Sequence, residues 1–368
     1  MRMTKKFKAI ATGLALAGTL NASVPALACT SLIVPTTDGG YVYGRSMEFG
    51  IPLKSDLMMA PRNFEFQGVG IDGKPGSGLS WKSRYAVAGL NALGQPVVVD
   101  GMNEKGMTGG LLNAPNTAVY QKPTETESKN SIASYQMLIY ALSNFATVEE
   151  AKKGLAAIFV NSSTLGEYKG VVQVRMTLHD AQGKSIVVEY LEGKLVITDN
   201  PIGVMTNDPA FSWHLLNIGN YVNLTPVEHG PITIRGKKFA PPSSGSGLRG
   251  MPGDMLSTSR FIRAAAYAMS APTGDARQQV NTVWHIMNNF DIPPGSISLP
   301  ANNPYGGGAG GFEMTEWTVV ADARNQMYYV RTYDNPSPQV FDLKKADPDA
   351  KELKFIKLKT TPALQALN

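Results

Sequence analysis

The order of segments along this chain predicts an α+β fold in which two β-sheets pack face to face between layers of helices. The first observation behind this is that strand-like segments come in groups, divided twice by pairs of amphipathic helical segments. The second is that no long linker and no internal repeat separates them, so residues 29–368 are expected to form one domain. A third concerns the first 28 residues, which have the organisation of a secretion signal and are expected to be removed.

Taken in order, Thr30–Val34 and Tyr41–Arg45 read as two strands joined by a turn at Thr36-Thr37-Asp38-Gly39-Gly40. Leu57–Pro61 reads as a further strand. Gly68-Val69-Gly70-Ile71-Asp72-Gly73 has the letters of a dinucleotide fingerprint, but it runs into Lys74-Pro75-Gly76-Ser77-Gly78, where a helix would have to start. It is therefore read as a surface loop. Arg84–Leu90 and Pro96–Val99 are strand-like, Asp100-Gly101-Met102-Asn103 reads as a turn, and Gly106–Leu112 as a small-residue, buried strand. Ser131–Phe145 places Ile132, Tyr135, Ile139 and Leu142 on one helical face, and Thr147-Val148-Glu149-Glu150 is a capping box for a second helix reaching Phe159. Strands return at Val171–Leu178, Ser185–Leu191 and Lys194–Thr198, with Asp180–Gly183 as a hairpin turn, and a further turn precedes Gly203–Met205. A short helix follows at Ser212–Gly219, then an extended excursion, Tyr221–Phe239, and a proline- and glycine-rich loop, Pro241–Asp254. Two more amphipathic helices, Ser257–Met269 and Ala276–Asn289, and a glycine-rich loop, Asn302–Gly311, precede closing strands near Glu313–Asp322, Gln326–Thr332 and Val340–Leu343.

The signal reading also fixes where chemistry is expected. Arg2, Lys5, Lys6 and Lys8 precede an apolar run, Ala9–Leu20, too short to span a bilayer. Pro25 then breaks the helix, and Ala26 and Ala28 are the small residues that signal peptidase requires. Cleavage after Ala28 makes Cys29, the only cysteine, the first residue of the mature chain. A free α-amine titrates near about 7.7–8.0 and a thiol near about 8.5. The amine can therefore serve as general base for the sulfur of the same residue, with a thioester acyl-enzyme as intermediate. This is the logic of N-terminal nucleophile hydrolases, and it calls for positive charge near the thiol.

Two other readings of Cys29 stand beside it. A cysteine after a signal is also the acceptor of lipoprotein acylation, which would make the chain a lipid-anchored binding protein without catalysis. Against that, the residues before Cys29 are Ala-Leu-Ala, without leucine at the third position ahead, and strand-like sequence follows where a flexible tether would be expected. The other reading is a leftover cysteine of no importance.

Composition narrows the alternatives. The chain is 43% hydrophobic and 17% charged, ordinary for a globular protein with a sizeable core. The net charge of +5 comes mostly from the leader, and without its four basic residues it falls to +1. No nucleic-acid function and no polybasic membrane function follows from that balance. The four histidines, His179, His214, His229 and His285, lack metal-ligand spacing, so no metal and no cofactor is expected. His285 or His179 would have to meet Cys29 in a conventional cysteine–histidine protease. The mature protein is expected to be periplasmic or secreted, with no membrane insertion after signal cleavage.

Several polar residues sit where bland explanations are weak. Arg45 ends the strand that pairs with the Cys29 strand. Asn113 terminates a buried strand, and Asn207 follows an apolar run before Asp208-Pro209. Arg260 lies in the first turn of a helix, where the macrodipole disfavours a cation without a partner. Together with Cys29-Thr30, Gly44-Arg45-Ser46-Met47, Asp100-Gly101-Met102-Asn103-Glu104-Lys105-Gly106, Asn200-Pro201-Ile202-Gly203-Val204-Met205-Thr206-Asn207 and Pro252-Gly253-Asp254 leading to Ser259-Arg260-Phe261, they carry a likeness. From Cys29 onward the chain resembles the choloylglycine hydrolases, the group of bile salt hydrolases and penicillin V acylases.

That resemblance implies a four-layer αββα sandwich and hydrolysis of an unstrained amide between an acyl group and a small amine or amino acid. It implies Cys29 as nucleophile and base, Arg45 and Arg260 as the charge that holds the thiolate, and the Asn207 amide with the Asn113 backbone N–H as the oxyanion hole. Relatives usually carry aspartate, bonded to the α-amine, where this chain has Glu48. Phe49, Met58 and Phe66, with Met59 and Thr117–Tyr120, are the residues expected near the acyl group of a small-molecule N-acyl amide substrate. The Tyr221–Phe239 excursion resembles the segment that relatives use to assemble, which implies a homotetramer.

Overall fold

The computed structural model describes residues 28–165, 170–299 and 311–362. The expected signal, apart from Ala28, and most of the Asn302–Gly311 loop lie outside them. The strands that position the site are β1 (Cys29–Pro35), β2 (Tyr41–Phe49), β3 (Leu57–Ala60), β4 (Val87–Leu90), β5 (Asp100–Asn103), β6 (Thr108–Asn113), β7 (Val174–His179), β8 (Ser185–Leu191), β9 (Lys194–Asp199), β10 (Phe312–Asp322), β11 (Met327–Thr332), β12 (Gln339–Asp342) and β13 (Lys354–Ile356). The helices are α1 (Met137–Asn144), α2 (Val148–Ala156), α3 (Phe211–Ile218), α4 (Ser257–Ser270) and α5 (Ala276–Met287).

One antiparallel sheet runs β1-β2-β10-β11-β12, and the other runs β9-β8-β7-β6-β5-β4-β3-β13. The opening hairpin turns where the sequence places it, with Gly39 and Gly40 both at φ above +90°, a backbone that residues with a Cβ rarely adopt. Its register sets Cys29 opposite Met47 and Ser31 opposite Arg45. Helix α4 packs on β1, and α5 on β2 and β10, while α1 covers β4, β5 and β6. Neighbouring residues of the second sheet face opposite ways: Leu112 and Val187 enter the core shared with the first sheet, Leu111 and Val188 the core under α1 and α2. Both faces are therefore buried, and the result is four layers, helices, sheet, sheet and helices.

Several elements differ from the sequence reading. Ser131–Phe145 is not one helix: Ser131–Ala133 is a strand paired with Phe159–Asn161, and the α-helix begins only at Met137. Thr147 caps α2 by accepting from the Glu150 N–H at 3.2 Å, but the Glu150 carboxylate turns to the Ala146 N–H. Asp100–Asn103 is a strand, since tertiary pairing on both sides overrides its turn-like letters. Pro96–Val99 forms no strand, and β13, unread in the sequence, completes the edge of the second sheet beside β3. The Gly68–Gly78 loop joins paired strands at Glu65–Phe66 and Trp81–Lys82, with no helix after it.

Candidate active site

Cys29 begins the edge strand of the first sheet and is 2% exposed. Its sulfur lies 3.7 Å from Nη2 of Arg45 and 3.8 Å from Sδ of Met47, both carried on the paired strand. Arg45 is fully buried. Its Nη1 donates to the Val99 carbonyl at 2.7 Å and meets Asp100 at 3.2 Å, and its Nη2 donates to the Leu111 carbonyl. Asp100 is in turn held by the Tyr43 and Tyr328 hydroxyls at 2.7 and 2.6 Å. The guanidinium crosses β6 at Gly110, where an added Cβ would come within 3.0 Å of the Arg45 and Asp100 side chains. Asp100, read from sequence as part of a turn, is thus the counter-ion of Arg45. With residue 28 attached, burial pushes the Cys29 thiol up, against the pull of Arg45 and the Asn113 backbone N–H, while Glu48 adds to the rise.

The main-chain nitrogen of Cys29 donates to Oδ1 of Asn207 at 2.7 Å. That oxygen also accepts from Nη2 of Arg260 at 2.8 Å, and Nη1 of Arg260 donates to Thr30 Oγ1 at 2.8 Å and to the Cys29 carbonyl. The first-turn cation therefore has its partners on the β1 strand and on Asn207, which answers the macrodipole's objection. With Oδ1 committed to donors, the Asn207 amide nitrogen must point the other way, and it donates to the Asn113 carbonyl at 3.0 Å. The Asn207 backbone is fixed by Ser257 Oγ at 2.9 Å and by Nε2 of His214 on its carbonyl at 2.9 Å. Burial pushes His214 down to about 4, so its ring is neutral and donates from Nε2.

Glu48 is carried on the same strand as Arg45, β2, and its charge acts on Cys29. Its carboxyl accepts from Thr315 Oγ1 at 3.3 Å, and Oε2 has no partner among the described residues. Burial pushes it up to about 8 against the opposing pull of Arg260. Its backbone N–H donates to the Ala28 carbonyl at 3.1 Å. Glu313, a residue the sequence reading did not single out, accepts from the Ala28 N–H, and burial raises its carboxyl too. Nothing in its local sequence marks it, because it comes from β10, far along the chain.

A cavity of about 630 Å³, counting space open to solvent, opens beside the thiol. Its wall includes Phe49, Leu53, Leu93, Val99, Tyr135, Leu165 and Val172, with Asn113 near the sulfur. Leu93 stands at φ +55°, held there by its N–H on the Leu53 carbonyl at 2.7 Å. Of the residues expected at the acyl group, Phe49 lines this cavity. Met58 and Phe66 do not: both are buried in the core under α1 and α2, where Phe66 stacks on Trp81 at 5.2 Å. Thr117 and Tyr120 pack against other protein groups instead, Thr117 on Asp208 and Tyr120 on the Val172 and Val174 carbonyls. The remaining histidines stand apart from the thiol: His179 bonds Thr177 and Ser185, and His229 and His285 are exposed.

These features define a class. The sequence profile described as "Linear amide C-N hydrolases, choloylglycine hydrolase family" matches residues 29–356, and the chain belongs to that family of hydrolases acting on linear amide C–N bonds. It is 31% identical over 344 residues to a bile salt hydrolase/transferase of Clostridium perfringens, covering 92% of this chain and 100% of that protein. It is 27% identical to a penicillin V acylase of Pectobacterium atrosepticum, covering 94% of this chain and 89% of that one. In structure it matches a variant of the conjugated bile acid hydrolase from Clostridium perfringens with a TM-score of 0.80 at 30% identity, over 92% of this chain and 100% of the other. The fold is thus the four-layer sandwich of the N-terminal nucleophile hydrolases.

Proposed function

We propose that the chain is an exported amidohydrolase that works with Cys29 as its first residue. The observation that carries this is the shared address of two atoms: the Cys29 nitrogen sits on Asn207 Oδ1 at 2.7 Å while its sulfur sits 3.7 Å from Arg45. Freed from residue 28, that nitrogen becomes an amine beside the sulfur, held by an acceptor that tolerates its charged and neutral forms. The amine takes the thiol proton, and the sulfur bonds to the substrate's carbonyl carbon. Negative charge then moves to the carbonyl oxygen, where the Asn207 amide and the Asn113 N–H meet it. Collapse breaks the C–N bond, the leaving amine takes the proton back from the α-ammonium, and a thioester remains. Water attacks the thioester, giving a proton to the same amine; collapse then breaks the C–S bond, the acid is released, and the α-ammonium returns the proton to the sulfur. Arg45 and Arg260 favour the anionic forms, and Glu48 bonds the α-ammonium.

The substrates are N-acyl amides with an apolar acyl group, conjugated bile salts and penicillin V foremost. The leader and the lone cysteine support export and a domain spanning residues 29–368. The exposed apolar side chains Val222, Val227, Ile232, Ile234 and Phe239 support a homotetramer built through this excursion. A lipid anchor on Cys29 fits poorly, since the sulfur is buried between sheet and cavity. The test is amine release by the mature protein from glycine- and taurine-conjugated bile salts, penicillin V and N-acyl homoserine lactones. Release from at least one is expected; a ring-opened β-lactam in place of the free amine would overturn the reaction.

A further inference from the structure

We propose that Arg175 is the positioning residue that holds the two oxyanion donors at their working separation; this rests on the amidohydrolase reading. Asn113 and Asn207 come from distant parts of the chain, and their contact is a single bond from Asn207 Nδ2 to the Asn113 carbonyl. One bond between residues so distant in sequence is a weak tether, and the amide's second N–H must stay free to meet a developing oxyanion. Something else must then keep the two loops in register, because donors displaced by even half an ångström lose much of their effect.

Arg175 does this geometrically. It sits on β7 opposite Leu112, one residue from the Val174–Asn113 pair, and is 1% exposed. Its Nη1 donates to the Pro209 carbonyl at 2.7 Å and meets Glu189 at 3.0 Å. Its Nη2 donates to Thr117 Oγ1 at 2.8 Å and to Asp208 Oδ1 at 3.0 Å. One planar fork thus grips the loop just after Asn207 and the loop just after Asn113. Asp208 closes the ring, accepting from the Asn116 N–H at 2.9 Å and from the Thr117 hydroxyl. Glu189, the second acid, accepts from the Phe211 N–H at 3.1 Å, at the start of α3, and that helix carries His214 to the Asn207 carbonyl. Buried ion pairs seldom add stability over apolar packing, so a buried triad with each arm beside an oxyanion donor points to placement as its task.

The test uses Asp208→Asn and Thr117→Val, mild changes that keep shape, with Arg175→Lys, which keeps charge but loses the two-loop fork. On whichever amide the parent hydrolyses, each is expected to lower kcat about tenfold or more and leave KM within about twofold, since the lost placement acts only on the transition state. In an Asn207→Ala background, Asp208→Asn is expected to cost clearly less than it does alone, because one of the two donors it places is gone. Unchanged kcat with a lowered melting temperature, or losses that simply multiply in the double variant, would overturn the clamp while leaving the amidase standing. An inactive parent would overturn both.

Discussion

The two sides of the Cys29 sulfur are built from opposite materials. On one side Arg45, Asp100, Arg260, Glu48 and Glu313 bring buried charge, each on a strand or in a helix's first turn. On the other, Leu53, Leu93, Val97, Leu165 and Val172 make an apolar wall, taken mostly from loops of both sheets' connections. The difference teaches that reaction and selection are separable here. Charge that must act at one point has to be rigid, and here it sits on strands and a helix's first turn. An acyl group needs shape and dryness, which loops supply and can vary without touching the chemistry.

The separation makes a paired prediction. Asn207→Ala should cut turnover by about 10²–10³ for every acyl amide the enzyme accepts, since the amide serves charge common to all of them. Val172→Trp should raise KM about tenfold for a bulky acyl group and change a slim one little, with kcat for the slim substrate near the parent's. Steady-state kinetics of both variants on one bulky and one slim substrate check this. A uniform effect of Val172→Trp would break the comparison.

Much of the charged side was legible in the sequence. Cys29, Arg45, Asn207 and Arg260 stand in short contiguous motifs, and the hairpin that sets Cys29 near Arg45 is announced by its turn residues. Asp100 was misread because a strand of such letters forms only when neighbours on both sides pair with it. Glu313 and Arg175 were not found, because their partners lie hundreds or tens of residues away and no local pattern ties them. The cavity was legible least: Phe49 neighbours the Arg45 motif, whereas Leu93, Leu165 and Val172 reach the thiol only through the packing of loops. Met58 and Phe66, apolar and near the right strands, were equally suited to core, and core is where they lie.

A smaller effect sharpens the charged side alone. In the chain that retains residue 28, Glu48 is pushed up to about 8, so the folded protein keeps a proton that the unfolded chain releases near pH 4–5. The folded state binds more protons across that window, and stability falls as pH rises. His179 and His214, pushed down to about 3 and about 4, act oppositely but only below about pH 6.5. Between about pH 6.5 and 8 the melting temperature should therefore decline, and Glu48→Gln should make the decline shallower. An unaltered slope in the variant would show that Glu48 ionises normally.

The central claim is that Cys29 works because it comes first. Two forms of the chain test it: one beginning at Cys29, the other with a single alanine retained before it. The retained residue fits the fold, since Ala28 is buried with its N–H on Glu313 and its carbonyl on the Glu48 N–H. What it removes is the base, because the Cys29 nitrogen becomes an amide that cannot take the thiol proton at neutral pH, and the new amine lies about one residue, some 3.8 Å, away. The account predicts loss of most amide hydrolysis and of rapid thiol alkylation near neutral pH in the extended form, with little change in melting temperature. Equal activity in the two forms would contradict it and return the role of base to a histidine.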